Sequence, residues 1–397
     1  MAASNVYKYK IEFTYDKDGK TYVYNYERIL SLIIDYDYEN KNMPILLLRV
    51  GIDKSLLDHM ISNENKTLIL TIKKFDDSSG INIYKTIISG EFIYFLDSNL
   101  NFTEELDYTD KNNQTNEDVY KIVTMGLMKK DILINNKIII NTVYKDTYLM
   151  DIICDVFNGK NLVIEPLMNN KYIDNLIVQP ITSLSKFLSY LDNEFTLYST
   201  EYRLFFDFDK TYILSSSGKA LPVKNEKYNT VFMYVDSITN IKSKALGMAE
   251  DEDQQAYVFY VDASSINLCK DNATNLSYNN IIAVDSEGNY KTTELNDTNV
   301  LGGNRYNITR LTNSNLNKLD NIKEKVESNK TVVNIIKQEL DSSIFTINKE
   351  YYIKNYNKLA DSNGKFLLVS KREVYVKEDT GFDMTTIFTF KKCPSTN

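Results

Sequence analysis

The side chains able to do acid-base, nucleophilic or metal chemistry are few and scattered in this 397-residue chain, which holds one His and three Cys. His59 lies in Asp58-His59-Met60. A serine or cysteine triad needs an imidazole placed beside a nucleophile, and a zinc site built on imidazoles needs two. Nothing in the pattern places His59 in either role, so it is expected on a helix surface or an interface. Cys154, Cys269 and Cys393 are far apart and odd in number, forming neither a disulfide framework nor a CxxC ligand set. Reduced thiols are expected. Asp207 and Asp209 point to the same side of a strand and mimic a carboxylate pair, but no third ligand is near them in sequence, so two solvated acids at a strand end are expected. Asp16-Lys17-Asp18-Gly19 resembles the start of a calcium loop. The twelfth position is Glu27, but the intervening Tyr alternation reads as strand, so the segment is assigned to a hairpin turn. Ser215-Ser216-Ser217-Gly218-Lys219 lacks the first Gly and the final Ser/Thr of a phosphate loop, and Gly302-Gly303 lacks a strand and helix around it. Glu250 to Asp253 reads as a solvated acidic loop. No catalytic, cofactor-binding or metal-ligating residue is assigned, no cofactor is implied, and no enzyme is expected.

The bulk properties narrow the class further. A net charge of −8 gives a field that repels nucleic acid and anionic membranes, so a DNA-gripping function is not expected. The start, MAASNVYKYK, has no apolar core of a signal peptide, and the apolar runs are far below the roughly 18–20 residues of a membrane span. A soluble protein made in a cytoplasm is expected. Thirty Tyr, no Trp and a Lys-dominated basic set follow from A/T-rich coding and do not by themselves mark a binding surface.

Hydrophobic periodicity then supplies the elements. Tyr7, Tyr9, Ile11 and Phe13 alternate with polar residues, Asp18-Gly19 interrupts, and Tyr22, Tyr24 and Tyr26 resume, the pattern of a β-hairpin. Further strands are predicted over 29–36, 44–50, 67–75 and 84–96. A short helix after Asp53 is marked by Leu56, Leu57, Met60 and Ile61. The polar stretch 99–117 reads as a linker. Next come a strand near 120–127 and two amphipathic helices over 148–157 and 183–191. Short strands at 162–164, 195–198, 203–207 and 211–215 complete this part. Strands at 230–238 and 256–261, an Asn-rich loop or small insertion near 265–310, a helix over 316–326, and strands at 331–340, 345–353, 365–376 and 385–391 finish the chain. The division expected is 1–104, a β domain; 105–222, an α+β middle domain; and 223–397, a second β domain carrying the insertion.

Asn65 to Ser79 aligns without gaps to Asn329 to Ser343 at eight identical positions of fifteen, including Asn-Lys-Thr, Ile72 with Ile336, and Asp-Ser-Ser. Each follows a predicted amphipathic helix. This is the mark of an internally repeated unit, and it assigns 331–340 to a strand.

Three blocks carry a family resemblance. Asn42-Met43-Pro44-Ile45-Leu46-Leu47-Leu48 with Gly51-Ile52-Asp53 and the following helix is one. Pro180 to Leu191 with Tyr198, Phe205-Phe206-Asp207 and Tyr212 to Ser215 is the second. Ile344 to Tyr351 with Gly364 to Leu368 is the third. Together they resemble the baseplate central hub proteins of contractile-tailed bacteriophages. That resemblance implies a mainly β chain with two tail-tube-like β-sandwich or barrel domains, the second discontinuous, around an α+β middle domain. It implies a homotrimer that joins a sixfold tail tube, or a tube-initiator protein, to a threefold central spike, with baseplate wedge components as neighbours. DNA would pass through the channel as cargo, without membrane insertion. The protein would reside in the virion after synthesis in the host cytoplasm. The insertion near 265–310 has no counterpart in that plan. Two rival classes are a receptor-binding or fibre protein, which should show fibrous periods, and a spike-associated peptidoglycan hydrolase, which needs acidic or Cys/His machinery in a cleft.

Overall fold

The structure is a computed structural model. It describes residues 7–63, 66–76, 85–96, 105–106, 120–157, 161–198, 200–223, 229–235, 240–242, 256–261, 280–284, 290–294, 306–311, 332–338, 342–355, 364–379 and 381–393. The chain begins with β1 (Tyr7–Lys17), β2 (Lys20–Tyr24), β3 (Ile29–Asp37), β4 (Ile45–Asp53), α1 (Lys54–Ser62), β5 (Thr67–Asp76), β6 (Lys85–Leu96), β7 (Glu105–Leu106) and β8 (Tyr120–Lys129). A middle part follows with α2 (Lys130–Asn136), β9 (Ile140–Tyr148), α3 (Leu149–Val156), β10 (Leu162–Ile164), β11 (Tyr172–Ile181), α4 (Leu184–Phe195), β12 (Tyr202–Phe206) and β13 (Thr211–Ser215). The remainder holds β14 (Thr230–Val235), β15 (Asn240–Lys242), β16 (Ala256–Val261), β17 (Asn280–Val284), β18 (Tyr290–Glu294) and β19 (Tyr306–Leu311). It ends with β20 (Val332–Gln338), β21 (Glu350–Asn355), β22 (Gly364–Glu378) and β23 (Gly381–Lys392).

The period-two pattern does what it predicts. Tyr9, Ile11, Phe13 and Tyr15 of β1 are buried while their neighbours face out. Asp18 and Gly19 both take positive φ, 52° and 77°, which is the geometry a two-residue hairpin requires. The strands β22, β3, β4, β8, β6, β5, β1 and β23 pair in that order, and β22 pairs back onto β23, closing an eight-stranded barrel. Closure leaves no edge for stray pairing.

The hairpin β22–β23 belongs to two bodies at once. Its turn half closes the barrel, with Ser370–Val376 against Asp37–Ser31 of β3 and Phe382 against Tyr9 of β1. Its open half pairs with β21 at Gly364–Phe366 and with β20 at Thr385–Lys391. The second body runs β14, β21, β22, β23, β20, β15. Four residues separate β14 from β15, so the two ends of this sheet lie within about 17 Å of each other. Two pairings cut across the expected division at residues 104 and 222. β8, placed by its sequence in the middle unit, sits between β4 and β6, and the N-terminal barrel is closed only by strands from the far end of the chain.

The middle part has its own core. Leu149, Ile152 and Ile153 of α3 and Leu184, Phe187, Leu188 and Leu191 of α4 are buried against Ile173, Leu176, Val178 and Ile213. Ser183 caps α4, its Oγ accepting from the Lys186 N–H at 3.2 Å. The short strand expected at 195–198 does not form. The helix continues through Phe195 and stops at Thr196, whose φ is +51°, and the Thr196 N–H still donates to the Asp192 carbonyl. The strand expected from 345 begins only at Glu350, after a 3₁₀ turn at Ser342–Ile344, because Thr346 and Asn348 are used in contacts across loops: Tyr351 Oη donates to the Thr346 carbonyl and Asn348 Nδ2 to the Leu221 carbonyl. The Asn-rich region supplies β17, β18 and most of β19 to a four-stranded sheet in the order β18, β17, β16, β19. The helix expected over 316–326, the acids 250–253, Gly302-Gly303 and Cys269 lie outside the described residues.

The internal match needs a correction in register. β5 and β20 are both strands, flanking β1 and β23 symmetrically in the order β5, β1, β23, β20. In β5 the residues Leu68, Leu70 and Ile72 are buried, whereas in β20 Ile335 is buried and Ile336, the gapless partner of Ile72, is 48% exposed. A one-residue slip inverts the faces of a strand, so the gapless match is not the structural one.

Candidate functional site

The chain's most constrained polar chemistry lies at the seam where the barrel, the middle part and the second body meet along β22. Lys371, Glu373 and Tyr375 occupy alternate, inward positions of that strand. Glu373 Oε1 accepts from Ser342 Oγ at 2.6 Å and from Lys371 Nζ at 3.0 Å, and its Oε2 accepts from Tyr375 Oη at 2.9 Å. Lys371 Nζ stands 4.2 Å from the centre of the Tyr36 ring, a cation–π contact inside the core. The side chains of this ion pair are 7% and 5% exposed. Such a pair is tolerable only because its remaining valences are met by Ser342, Tyr375 and Tyr36.

Arg203 of β12 is the second buried charge. Its Nη1 donates to the Leu368 carbonyl at 3.1 Å, and its Nη2 donates to the carbonyls of Ile347 at 3.3 Å and Ser215 at 3.5 Å. One guanidinium thereby ties β12 and β13 of the middle part to β22 and to the loop before β21. Burial pushes its pKa down, opposed chiefly by the field of Glu39. Around it Tyr38 meets Phe205 edge-on at 4.6 Å, and Phe208 lies 6.1 Å from Tyr36 and 6.2 Å from Phe92. Burial raises the Tyr36 and Tyr38 hydroxyls well above the usual phenol range. The Phe206 N–H donates to the Asn42 carbonyl at 2.7 Å, a backbone bond between barrel and middle part.

Asp207, expected to be solvated, directly follows β12 and is half-buried at this seam. Burial pushes its carboxyl up to about 6, against the opposing charge of Lys371 and the Phe208 N–H that donates to its Oδ1 at 2.8 Å. Asp209 is exposed. The other residues singled out by type are spent on packing. His59 Nδ1 is 3.0 Å from Tyr15 Oη, with the rings edge-on. Asp53 holds the N-cap position of α1 without a capping bond, because its Oδ2 accepts from Tyr24 Oη at 3.1 Å. Asp16 Oδ1 accepts from Thr21 Oγ1 at 2.6 Å within the hairpin. Gly218 takes φ +65°, and a Cβ there would lie 2.8 Å from Cys393 Sγ. That glycine serves the approach of the C-terminal strand, and the Ser215–Lys219 run is a turn. Burial raises the Cys393 thiol to about 11, and Cys154 is exposed. Among the described residues no three His, Cys, Asp or Glu side chains come together. A cleft of about 190 Å³ lies beside Arg203, lined by Tyr38, Glu39, Asn42 and Ser185 among others. Its carboxylate is already engaged, since Glu39 Oε1 accepts from Lys391 Nζ at 2.6 Å. Sequence reasoning missed Arg203, Lys371 and Glu373. Their signal was charge at the inward positions of an alternating strand, as in Lys371-Arg372-Glu373-Val374-Tyr375.

Known proteins bear on this architecture. The family model described as Bacteriophage PBS1 gene 109 protein matches residues 1–393. No curated protein matches the chain. Among solved structures, a tail protein from Neisseria meningitidis MC58 is similar over 98% of this chain and 97% of its own, with a TM-score of 0.50 at 10% identity. The 43 kDa tail protein of prophage MuSo2 from Shewanella oneidensis is similar over 96% of this chain and 98% of its own, with the same TM-score and identity. The mainly β fold around an α+β middle part is thus one that phage tail proteins have.

Proposed function

We propose, for a chain that belongs to the bacteriophage PBS1 gene 109 protein family, a structural role as the central hub of a contractile tail baseplate. Three copies form a ring that adapts the sixfold tail tube to a threefold central spike and lines the channel through which DNA passes. The observation that carries this reading is the pair of β bodies fused through one hairpin, in a fold that tail proteins share from end to end. Two β bodies per chain present six around a threefold axis, which meets the symmetry of a sixfold partner. Heterologous contacts close into a ring only when the rotation fits. The charge supports a channel that passes DNA without holding it: three chains of −8 carry −24 in total, and such a field disfavours phosphate contacts.

The role is non-enzymatic and its place is the virion. The seam spends Glu373, Lys371 and most of the Arg203 fork on internal bonds, which supports a structural role for them. Imaging of the assembled particle tests the reading, with three copies around the tail axis expected. One, two or six copies, or release of sugar from purified peptidoglycan that is lost on changing a single Asp or Glu, would overturn it.

A further inference from the structure

The outer face of the barrel carries a row of apolar side chains with a gap in its middle. Val374 of β22, Ile33 of β3, Leu47 of β4, Gly126 of β8 and Phe95 of β6 are successive cross-strand partners. Leu47 and Phe95 are 42% and 47% exposed. Between them Gly126 leaves a slot one side chain wide. Among the described residues nothing in the fold asks for this glycine. Its φ is not positive, and an added Cβ would come no closer than 3.9 Å to Phe95. A strand-interior glycine costs roughly 0.5–1 kcal/mol relative to alanine, and where the ladder has no bulge, as at Gly126, close approach of another backbone is one of the uses such a glycine has.

Among the described residues, a second apolar face without a neighbour lies on the two-stranded ribbon β9–β11. Val143 and Ile177 are directly opposite each other and 51% and 65% exposed, and the pair Tyr148 and Tyr172 is 49% and 47% exposed. If a large side chain offers about 150–250 Å², these four expose on the order of 400 Å². That is a substantial part of the roughly 800 Å² per partner of a stable interface. The charges complement. Asp174, exposed on the ribbon, is three residues from Ile177, or about 10 Å along the strand. Exposed Arg49 stands one strand over and two residues along from Gly126, or about 8 Å away.

We infer that the Gly126 slot receives Ile177 of the β9–β11 ribbon of a second copy of this chain, with Asp174 set against Arg49. In the three-copy reading each copy gives its ribbon to the next and receives one from the last, so the contact is heterologous there and propagates around a ring. It rests on the three-copy reading above and names where the copies touch.

Two measurements on the full chain test it. In a Cys154→Ser background, Gly126→Cys and Ile177→Cys are introduced together and oxidised by copper phenanthroline and oxygen, two thiols losing their protons and electrons to form one disulfide. Covalent dimers and trimers linked 126 to 177 are expected on a non-reducing gel, and neither single variant should give the trimer. Gly126→Val, which suits a strand and fills the slot, should retain the unfolding midpoint while weakening self-association at least tenfold by light scattering. Absence of the 126–177 link, or unchanged association of Gly126→Val, overturns the contact. If three copies are seen in particles without that link, only the contact falls. A link confined to closed pairs, both in solution and in particles, supports the contact and removes the three-copy reading.

Discussion

The hairpin β22–β23 and the ribbon β9–β11 are the same object, two antiparallel strands, placed in opposite circumstances. The hairpin has a neighbour on each side, β3 and β21 along one strand and β1 and β20 along the other. It holds a buried ion pair and presents the Leu368 carbonyl to Arg203. The ribbon has no further strand on either edge among the described residues, and its outer face shows apolar side chains. A lone two-stranded ribbon is marginal in water, so this one depends on its inner residues Ile173, Leu176 and Val178 packing under α3 and α4. The difference separates two kinds of apolar residue in one chain: those that stabilise the fold, and those left over once folding is complete, which are available to a partner.

The largest effect that could break this contrast is expected at Glu373. Glu373→Ala leaves Lys371 charged and buried with its carboxylate removed, which should destabilise the chain by about 3–5 kcal/mol in urea unfolding. The double change Lys371→Met with Glu373→Leu should recover most of that. If Glu373→Ala unfolds like the parent chain, the hairpin is not the constrained element described. Arg203→Met comes next. It leaves the carbonyls of Leu368, Ile347 and Ser215 without their donor, for a loss of about 2–3 kcal/mol. Faster amide exchange in β12 and β22 than in β5 should accompany it.

Asp207 sharpens the contrast through pH. Its folded pKa of about 6 lies above the ordinary 3.8, so the folded state holds the proton more tightly than the unfolded chain. Stability from this group is present below pH 4 and is lost as pH rises through 6. Asp207→Asn should therefore be more stable than the parent at pH 7.5 by about 2 kcal/mol, a shift of two units being worth at most about 3, with the gap closing toward pH 4. A gap that stays constant with pH would show that burial does not control this carboxyl.

Much of the fold was legible because period-two alternation reports burial directly: Tyr9 to Tyr15, Leu46 to Val50 and Leu367 onward all read as the strands they are. Helices α3 and α4 were legible from apolar spacing. The short segments went wrong for identifiable reasons. At 195–198 the apolar run Phe195, Leu197, Tyr198 reads as strand, yet the same residues finish a helix and pack its cap into the core, a tertiary outcome that no local pattern holds. The β9–β11 ribbon was not anticipated, since Val143 and Ile177 face outward and blur its alternation. The seam escaped notice because Arg203, Lys371 and Glu373 are surface residue types by composition, and only long-range pairing puts them inside. The match of Asn65 to Asn329 found two real strands but set them one residue out of phase, since low-complexity identity is indifferent to which face a residue occupies.

The smallest expected effect lies on the ribbon, and there the contrast is most exposed to failure. Val143→Ser with Ile177→Ser removes the outward pair and leaves the inward one intact. Exposed positions away from caps and buried networks usually change stability by less than about 0.5 kcal/mol, and a cross-strand apolar pair adds roughly 0.2–1 kcal/mol over alanine. The double variant should therefore lose no more than about 1 kcal/mol in urea unfolding, even though it removes as much apolar surface as many core truncations do. The size of the loss is the discriminating quantity, because the same two residues buried would cost about 2–5 kcal/mol each. A loss in that higher range would mean that the outer face is covered by the chain itself and is not left for a partner. The ribbon would then be a second structural clasp, like the hairpin, and the distinction between folding residues and residues left for a partner would not hold in this protein.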